Sequence, residues 1–592
     1  MADWAVAYRR LGIRRTTLAS RFTGADNREY REDSPECLKY GFTHVQFPYV
    51  RPPVFKDDAD RAAFVDRLRA MTNMYPHCRT ALVFHESGGG PYPVELHGGV
   101  TKVDDAVRVG DAEKVATALR LAEAWREADP GVKLIYGNSG STLGLVARLM
   151  RGGFPKELFD AMGEESVGMS EPPEMTTAML PWKLKKLARL YGYPENMDCP
   201  REWKGRYYPW RYEKDKTPAA GMAVRDALIA HALGYTVVPI GAGTETANSY
   251  ADTIWCSGTF ARWPLAYPRK AALAFATLTQ VLDGAKFVRQ VPTGSPTVYA
   301  LEFETAAGLV YALWDSRGET EVAAKSSGKV VSMTGRELGG VRSGRLRVGE
   351  EPCYIVDSAK IEAFDAAKTR AFPRERYAGK ASEEEVVAVD LGSAPMELAC
   401  VTDKRVEIPF DANPRRPGAF SMKTVDDERG ACVEITHLSR ENCPETLMEY
   451  ATIRFKDPQP VEGEFSTIGA WVKGNSNWGR LFFEIEDAEG EKWFSGGEGG
   501  VGCDVYDWPA RMSFNYDSWN YLQMPLTWKS PVKVPSPGDN EWQWTRDGTG
   551  NGRIDFPVKV TGLVVGQFGR TLNLLDMCKG EPSIRIKSVS LW

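Results

Sequence analysis

The chain of 592 residues carries 74 Lys and Arg residues against 79 Asp and Glu residues, a formal net charge of -5. This near balance argues against nucleic acid or a membrane as a partner, because surfaces that bind either one need an excess of positive charge. Hydrophobic residues make up 43% of the chain, enough for folded cores in roughly three or four domains of about 100 to 200 residues each. No stretch approaches the roughly 18 uninterrupted apolar residues of a membrane-spanning helix.

Residues 1–284 repeatedly place a short apolar run before an amphipathic stretch, the alternation typical of βα units around a parallel sheet. Helix patterns such as Asp57–Met71 and Asp111–Ala128 separate the runs. The pattern predicts seven strands, at Arg15–Ser20, Thr43–Pro48, Thr80–Phe84, Lys133–Tyr136, Ser166–Met169, Asn196–Pro200 and Thr236–Ile240. We therefore predict a (β/α)8 TIM barrel, an α/β fold, over residues 1–284.

The predicted barrel opens on a helix pattern at Asp3–Leu11 and shows only seven strands. Either the first strand is missing or unusual, or this helix caps the floor of the barrel. The first residues also lack the apolar core of a secretory signal. We expect a secreted or periplasmic protein if an upstream segment is missing from the chain.

After residue 284 helix patterns fade and short alternating strands take over. Residues 285–357 are predicted to form a small β-sandwich, residues 358–385 a charged, helix-like connector, and residues 386–592 a jelly-roll β-sandwich. The clearest strands of the two sandwiches are predicted at Phe287–Val291, Thr297–Glu304, Leu309–Asp315, Lys329–Met333, Pro352–Val356, Thr467–Lys473, Leu481–Asp487 and Ile584–Leu591.

Two glutamates directly follow predicted barrel strands, where the active site of such a barrel lies. Glu86 ends Thr-Ala-Leu-Val-Phe-His-Glu, and Glu202 ends Asn-Met-Asp-Cys-Pro-Arg-Glu. Two carboxyl groups about 5 to 5.5 Å apart are what a retaining glycoside hydrolase needs. One protonates the leaving oxygen, and the other attacks the anomeric carbon.

Several segments, taken in order, resemble the clan A (β/α)8 retaining glycoside hydrolases, and most of all the family 39 type of β-xylosidases and α-L-iduronidases. The similar segments are Leu-Val-Phe-His-Glu at 82–86, residues 122–137, Cys-Pro-Arg-Glu-Trp at 199–203, residues 267–287 and Val-Tyr-Ala-Leu-Trp-Asp at 310–315. The resemblance covers residues 1 to about 370. It implies that Glu86 is the general acid/base and Glu202 the nucleophile.

Two neighbours of these glutamates depart from that pattern. The clan usually has an asparagine before the acid/base, where its amide contacts the sugar 2-hydroxyl, whereas this chain has His85. An imidazole still donates one hydrogen bond, but it does not offer the simultaneous donor and acceptor of an amide. Arg201 precedes Glu202, and its charge would lower the pKa of that carboxyl group if the side chain turned inward.

Other side chains near predicted strand ends are candidates for substrate binding. Sugars stack on aromatic rings, so Trp203, Tyr207 and Trp255 are expected to line subsites, with loop packing as the alternative. Asn138 follows the strand at Lys133–Tyr136 and is expected to hydrogen-bond a sugar hydroxyl. Glu171 in Met-Ser-Glu-Pro-Pro-Glu is a further candidate for substrate binding. Glu171 and Glu174 of the same segment are also the rivals of Glu202 as the second catalytic carboxylate, with a structural role as the alternative.

The C-terminal region is crowded with aromatic residues and is similar to carbohydrate-binding modules, although core packing explains such a composition equally well. These residues include Trp478, Trp493, Trp508, Trp519, Trp528, Trp542 and Trp544. The loop from Asp547 through Asn551 partly fits a calcium loop, but Val558 stands where a bidentate glutamate belongs, so an Asn-Gly turn is the preferred interpretation. Scattered cysteines without a Cys-x-x-Cys pair do not suggest zinc, and we expect no cofactor.

The combined features predict a retaining glycosidase that cleaves an oligo- or polysaccharide. One alternative is an impaired barrel that binds glycans without turnover, because His85 departs from the clan pattern. Another is an inverting hydrolase or a lyase that uses Glu171, with carboxyl groups about 6.5 Å or more apart. The sugar, the linkage, exo or endo action and the oligomeric state are left open.

Overall fold

The structure is a computed structural model that describes the following parts of the chain. They are residues 10–12, 15–16, 44–46, 50, 52–74, 78–84, 103–137, 142–163, 173–197, 217–235, 260–261, 267–268, 270–295, 297–316, 318–324, 328–341, 344–367, 370–371, 382–403, 415–438, 448–474, 479–495, 519–526, 545–546, 551, 553–567 and 583–592.

A parallel sheet occupies the N-terminal region, and its strands are adjacent in chain order. The strands are β1 (Arg15–Thr16), β2 (His44–Gln46), β3 (Cys78–Leu82), β4 (Lys133–Gly137) and β5 (Ala161–Gly163). Every neighbouring pair is parallel. Met162 of β5 also forms a parallel bridge with Met197, which adds a sixth chain segment to the sheet. This order is that of a barrel wall, whose neighbouring strands follow one another along the chain.

Six helices follow or flank these strands in the part of the chain that the structure describes. They are α1 (Asp58–Met74), α2 (Val103–Ala128), α3 (Thr142–Arg151), α4 (Pro173–Tyr191), α5 (Thr217–Ala232) and α6 (Lys270–Val281), and a 3-10 turn covers Lys156–Leu158. The longest, α2, ends at the sequence Asp129-Pro130-Gly131, where proline and glycine prevent further helical turns. A short two-stranded sheet, β6 (Phe260–Ala261) with β7 (Tyr267–Pro268), precedes α6.

Alternate residues of the parallel strands face opposite sides of the sheet. Leu82, Ile135 and Ala161 form a small buried cluster of their own. Their neighbours Ala81, Val83, Leu134, Tyr136 and Met162 belong to the large cluster that contains the helices. Both faces of the sheet are therefore covered by apolar side chains, as a parallel sheet requires.

The segment before β1 lies beside the last helix of this region. Thr279 on α6 donates a hydrogen bond from Oγ1 to the carbonyl oxygen of Leu11 at 2.6 Å, and Leu11 is buried. The first and last parts of the predicted barrel therefore touch. The predicted strand Thr236–Ile240 and the predicted helix start at Asp3 lie outside the described residues, so closure of the barrel stays a prediction.

The parallel sheet contains one strand that the sequence pattern did not predict. The strand after α3 begins at Ala161, earlier than the predicted Ser166–Met169, which lies outside the described residues. The sequence Ala-Met-Gly has no β-branched residue and therefore gives a weak strand signal. Its register against Ile135 and Tyr136 in β4 makes it a strand.

The next region consists of antiparallel strands from residue 286 onward. They are β8 (Lys286–Gln290), β9 (Val298–Thr305), β10 (Gly308–Asp315), β11 (Gly318–Ala323), β12 (Lys329–Ser332), β13 (Glu337–Gly340), β14 (Arg345–Val348), β15 (Cys353–Ser358), β16 (Asp365–Ala366) and β17 (Arg370–Ala371). One sheet has the order β13-β12-β15-β10-β9-β8, and the other has the order β14-β11-β16, with β17 also paired to β11. The five strands predicted here are confirmed within two residues at each end.

The helix-like connector predicted from Ser358 to Glu385 is wrong where the structure describes it. Strands β16 and β17 pair with β11 instead. Ile361 and Phe364 are buried in the core of this region, and the Phe364 amide donates to the carbonyl oxygen of Pro292 at 2.8 Å. The charged residues of the 358–385 segment suggest a solvated helix, but burial of Ile361 and Phe364 determines the backbone conformation where the structure describes it.

The C-terminal region contains two further sheets packed around one core. Their strands are β18 (Val386–Asp390), β19 (Met396–Ala399), β20 (Arg415–Pro417), β21 (Phe420–Asp427), β22 (Gly430–His437), β23 (Met448–Phe455), β24 (Pro460–Val461), β25 (Thr467–Lys473), β26 (Gly479–Glu486), β27 (Lys492–Phe494), β28 (Trp519–Pro525), β29 (Thr545–Arg546), β30 (Val558–Gln567) and β31 (Ser583–Leu591). One sheet has the order β21-β22-β31-β25-β28 with β18 beside β31, and the other contains β19-β23-β30-β26-β27-β29. The strand predictions at 467–473, 481–487 and 584–591 are confirmed.

No helix among the residues listed above is both long and apolar enough to cross a membrane.

Gly469 in β25 is required by the close approach of an aromatic ring. A Cβ atom at this position would lie 2.1 Å from Cε1 of Tyr521, a ring that is fully buried. We expect Gly469→Ala to lower stability by about 1 to 3 kcal/mol, because the ring or the strand must shift. Urea unfolding followed by tryptophan fluorescence measures this effect. The control is Gly340→Ala, where the nearest atom to the added Cβ is 4.0 Å away, and equal stability of the two variants would contradict the prediction.

Candidate active site

The carboxyl ends of the parallel strands meet at one edge of the sheet, the edge at which barrel enzymes bind substrate. The chain is described to Phe84 beyond β3, to Gly137 at the end of β4, and to Gly163 at the end of β5. The bridge at Met197 places the start of the next segment beside β5. These four chain segments form the described part of the candidate site.

The predicted site residues follow these strand ends but lie outside the described residues. His85 and Glu86 come directly after Phe84, and Asn138 comes directly after Gly137. The others lie in the segments that follow β5, Met197 and α5, and they are Glu171, Arg201, Glu202, Trp203, Tyr207 and Trp255. Chain connectivity limits Glu86 to about 7 Å from Phe84 between Cα atoms. The positions of all nine side chains remain predictions.

Two buried glycines lie in register at this edge of the sheet. Gly137 of β4 pairs with Gly163 of β5, two residues beyond the register pair of Ile135 and Ala161. Because side chains alternate along a strand, the two glycines face the same side as the cluster of Leu82, Ile135 and Ala161. No side chain fills that level on these two strands. Glycines at such positions mark places where a ligand or a backbone segment approaches closely.

A lysine ammonium group lies close to the end of β3. Nζ of Lys114 on α2 is 5.2 Å from the centre of the Phe84 ring, two residues before Glu86. Burial lowers the pKa of Lys114, and the positive charge of Arg148 lowers it further. Helix α2 therefore brings a basic side chain beside Phe84, the last described residue before His85 and Glu86. Sequence analysis missed Lys114, because a lysine within a helix ordinarily faces water.

The rival carboxylate Glu174 is a structural residue. Its side chain is fully buried at the start of α4, and Oε1 lies 2.8 Å from Nε of Arg225 on α5. Trp314 of β10 donates a hydrogen bond from Nε1 to the same oxygen at 2.7 Å. Arg225 in turn donates to the carbonyl oxygen of Glu350 at 2.9 Å. A carboxylate held by two helices and a strand of the next region is not free to act on a substrate.

The opposite edge of the sheet is closed by structural contacts. Asp160, directly before β5, accepts the Leu134 amide at 2.7 Å and a guanidinium hydrogen bond from Arg126 at 2.6 Å. The Tyr136 hydroxyl donates to the carbonyl oxygen of Leu158 at 2.8 Å. The described contacts at this edge are structural, whereas Gly137 and Gly163 at the other edge contribute no side chains.

The loop that begins at Asp547, for which an Asn-Gly turn is preferred over a calcium site, is described only in part, since Asp547 lies outside the described residues. Asn551 donates from its amide to Asp555 Oδ2 at 2.7 Å and accepts the Arg553 amide at 2.8 Å. Both polar ends of the side chain are therefore used within the turn, which agrees with the preferred interpretation of the loop. Within the described part of the chain, no group of three His, Cys, Asp or Glu side chains is arranged to hold a metal ion.

Of the comparisons with known proteins, only the comparison with solved structures gives matches. No protein-family model matches the chain, and no curated protein matches it. The chain is similar to a family 30 subfamily 8 xylanase from Clostridium acetobutylicum, with 11% identity and a TM-score of 0.36 over 60% of this chain and 92% of that structure. It is also similar to a family 51 α-L-arabinofuranosidase from Bifidobacterium longum, with 10% identity and a TM-score of 0.37 over 61% and 87%.

A further similarity involves a family 11 carbohydrate-binding module of a Clostridium thermocellum cellulase, with 11% identity and a TM-score of 0.20 over 36% of this chain and 95% of that structure. The neighbours are thus glycosidases and a carbohydrate-binding module. At these TM-scores they carry no argument about the chemistry of this chain, which rests on its own residues.

Proposed function

We propose that the chain is a retaining glycoside hydrolase, similar to the family 39 type, that acts on an oligo- or polysaccharide. The observation that carries the proposal is the placement of two glutamates after strand ends of one parallel sheet. Glu86 follows β3, and Glu202 follows the segment bridged to β5 at Met197. The order of the similar sequence segments supports the same assignment. In this proposal residues 1–284 form the barrel, and the two β regions are accessory to it.

The proposed reaction proceeds by double displacement. A carboxylate oxygen of Glu202 attacks the anomeric carbon, and the bond to the leaving oxygen breaks as Glu86 donates its proton to that oxygen. The resulting glycosyl ester is then attacked at the anomeric carbon by a water molecule. Glu86 takes the proton of this water, and the Glu202 carboxylate leaves, which restores both groups. No cofactor takes part in either step.

The remaining candidates would bind and orient the sugar. His85 would donate one hydrogen bond to the 2-hydroxyl, and Asn138 and Glu171 would contact other hydroxyl groups. Trp203, Tyr207 and Trp255 would offer ring faces to the C–H faces of the sugar. Arg201 would keep Glu202 ionised, because a neighbouring cation favours the charged form of a carboxyl group. The sugar would approach the edge of the sheet at which Gly137 and Gly163 lie.

A covalent trap tests this proposal. We expect a 2-deoxy-2-fluoro glycoside with a good leaving group to add one glycosyl unit to the protein, and peptide mapping to locate it on Glu202. A panel of aryl glycosides, including xylosides, glucuronides and arabinofuranosides, first identifies the sugar to use. Glu202→Ala should accept no label. Label on another residue, or a product of inverted configuration by NMR, would overturn the assignment.

The second candidate function is glycan binding without turnover, and one observation favours it. His85 occupies the position at which the clan uses asparagine, so the contact with the 2-hydroxyl is weakened. Equal background rates for the wild type and Glu202→Ala on the whole aryl glycoside panel would support binding over hydrolysis.

A further inference from the structure

A pair of indole rings and a guanidinium group lie on the outer face of one C-terminal sheet. Trp471 on β25 alternates with Ala470 and Val472, which belong to the core, so its ring lies on the opposite face. Trp519 on the adjacent strand β28 pairs in register with Lys473 and occupies the same face. Arg429, in the turn between β21 and β22, completes the group. We call these three residues the indole platform.

The guanidinium group of Arg429 stacks on this platform. Its central carbon is 3.4 Å from the ring centre of Trp471 and 5.9 Å from that of Trp519. Arg429 is exposed, and it forms no ion pair with any residue that the structure describes, including its neighbours Asp426 and Glu428. Among the described residues, no carboxylate competes with a ligand for its N–H groups, while its carbon atom is held over a ring.

Both rings are held in place by neighbouring side chains on the same face of the sheet. Trp519 donates from Nε1 to Asp427 Oδ1 at 3.1 Å. Trp471 packs edge to face against Tyr521, with ring centres 5.3 Å apart and planes at 68°. The Tyr521 hydroxyl is within 2.7 Å of Ser590 Oγ. A ligand would meet rings that are already oriented, which reduces the entropy lost on binding.

The other cations of this face already have carboxylate partners. Lys473 and Arg585 both contact Asp427, and Arg585 also contacts Glu434 at 2.9 Å. Burial alone would raise the pKa of Asp427, but hydrogen bonds from Trp519, Arg585 and Lys473 bring it below its ordinary value. Asp427 therefore stays ionised and remains the ion-pair partner of Lys473 and Arg585. Within the described part of this face, Arg429 is the cation that has no carboxylate partner.

We propose that the indole platform binds a uronate residue of an acidic polysaccharide. The guanidinium group would form a two-point contact with the sugar carboxylate, a geometry that arginine favours. The exposed part of the Trp519 ring would pack against the C–H face of the same or the next sugar. This site is distinct from the strand ends of the barrel, so the inference extends the proposed function from cleavage to capture of the substrate.

Calorimetric titration of the full chain with tetragalacturonate tests the inference. Glu202→Ala serves as the parent, so that degradation cannot obscure binding. We expect Arg429→Gln to weaken binding by about tenfold or more, and Trp519→Ala to weaken it similarly. Arg336→Gln, which removes an exposed cation of the smaller β region, is the matched control and should leave the affinity unchanged. Raising the salt concentration from about 0.05 M to about 0.5 M should weaken the interaction.

Titrations with two further oligosaccharides identify the chemical group of the ligand that the indole platform binds. A neutral oligosaccharide of the same length, such as cellotetraose, should bind more weakly than tetragalacturonate. Equal binding of the neutral sugar, or an unchanged affinity in Arg429→Gln, would overturn the proposal. Equal binding of a sulfated tetrasaccharide would overturn the assignment to a carboxylate. Because heat of binding is measured without turnover, a failure here is distinguishable from absence of glycosidase activity.

Discussion

Glu202→Ala is expected to lower kcat on the best aryl glycoside by about 10⁴-fold or more, because no other group would form the glycosyl ester. Glu86→Ala should cost about 10² to 10⁴-fold, with the smaller loss on substrates whose leaving group needs no proton. Initial rates across leaving groups of different pKa measure both effects. Added azide should restore part of the Glu86→Ala rate on activated substrates, since a small anion replaces the activated water.

A matched control is available on the same segment of the chain. Glu195 lies just before Met197 and forms an exposed ion pair with Arg189 at 2.7 Å. Glu195→Gln removes a carboxylate close to the proposed nucleophile in sequence and should leave kcat unchanged. If Glu202→Ala behaves like this control, Glu202 is not the nucleophile.

Glu174→Ala is expected to destabilise the protein by about 3 to 5 kcal/mol, because it leaves the buried guanidinium of Arg225 without its carboxylate. The ion pair has 3% and 0% of its two side chains exposed, and Trp314 also loses its acceptor. Urea unfolding followed by tryptophan fluorescence measures the loss. The control Glu195→Ala breaks an exposed pair and should cost about 0 to 1 kcal/mol.

A double variant separates the ion pair from the packing around it. In Glu174→Met combined with Arg225→Met, both charges are gone and apolar side chains of similar length fill the space. We expect this variant to be more stable than Glu174→Ala, because no unpaired charge remains buried. Stability of Glu174→Ala close to that of Glu195→Ala would show that the buried contact does not stabilise the fold.

The strands of the parallel sheet could be predicted from the sequence where the apolar runs are long. Thr80–Phe84 and Lys133–Tyr136 contain the β-branched and aromatic residues that pack well in strands, and the structure confirms both. Ala161–Gly163 lacks such residues, and its pairing with β4 is a tertiary effect that no local pattern indicates. The strands at 365–366 and 370–371 escaped detection for the same reason, because they form only against β11.

The residues of the candidate site also differ in how far their roles could be predicted from the sequence. The sequence predicts that Glu86 and Glu202 follow strand ends, and because both lie outside the described residues their roles stay predictions. The role of Glu174 could not be predicted, because its partners Arg225 and Trp314 are distant along the chain and meet it only in the folded protein. Lys114 and Arg429 escaped attention because stacking of a cation on an aromatic ring has no signature in the spacing of residues.

The hydrogen bond from Trp314 to Glu174 is relevant to the question of which part of the chain can fold independently. Trp314 belongs to β10, beyond the end of the predicted barrel, yet it lies in the same hydrophobic cluster as Trp125, Leu187 and Leu228 of the helices. A fragment cut at residue 284 would expose that cluster to solvent and deprive an internal carboxylate of one donor. The same cluster also contains Tyr450, Phe482 and Phe494 of the C-terminal region, so the parallel-sheet region and both β regions should be produced together in one chain.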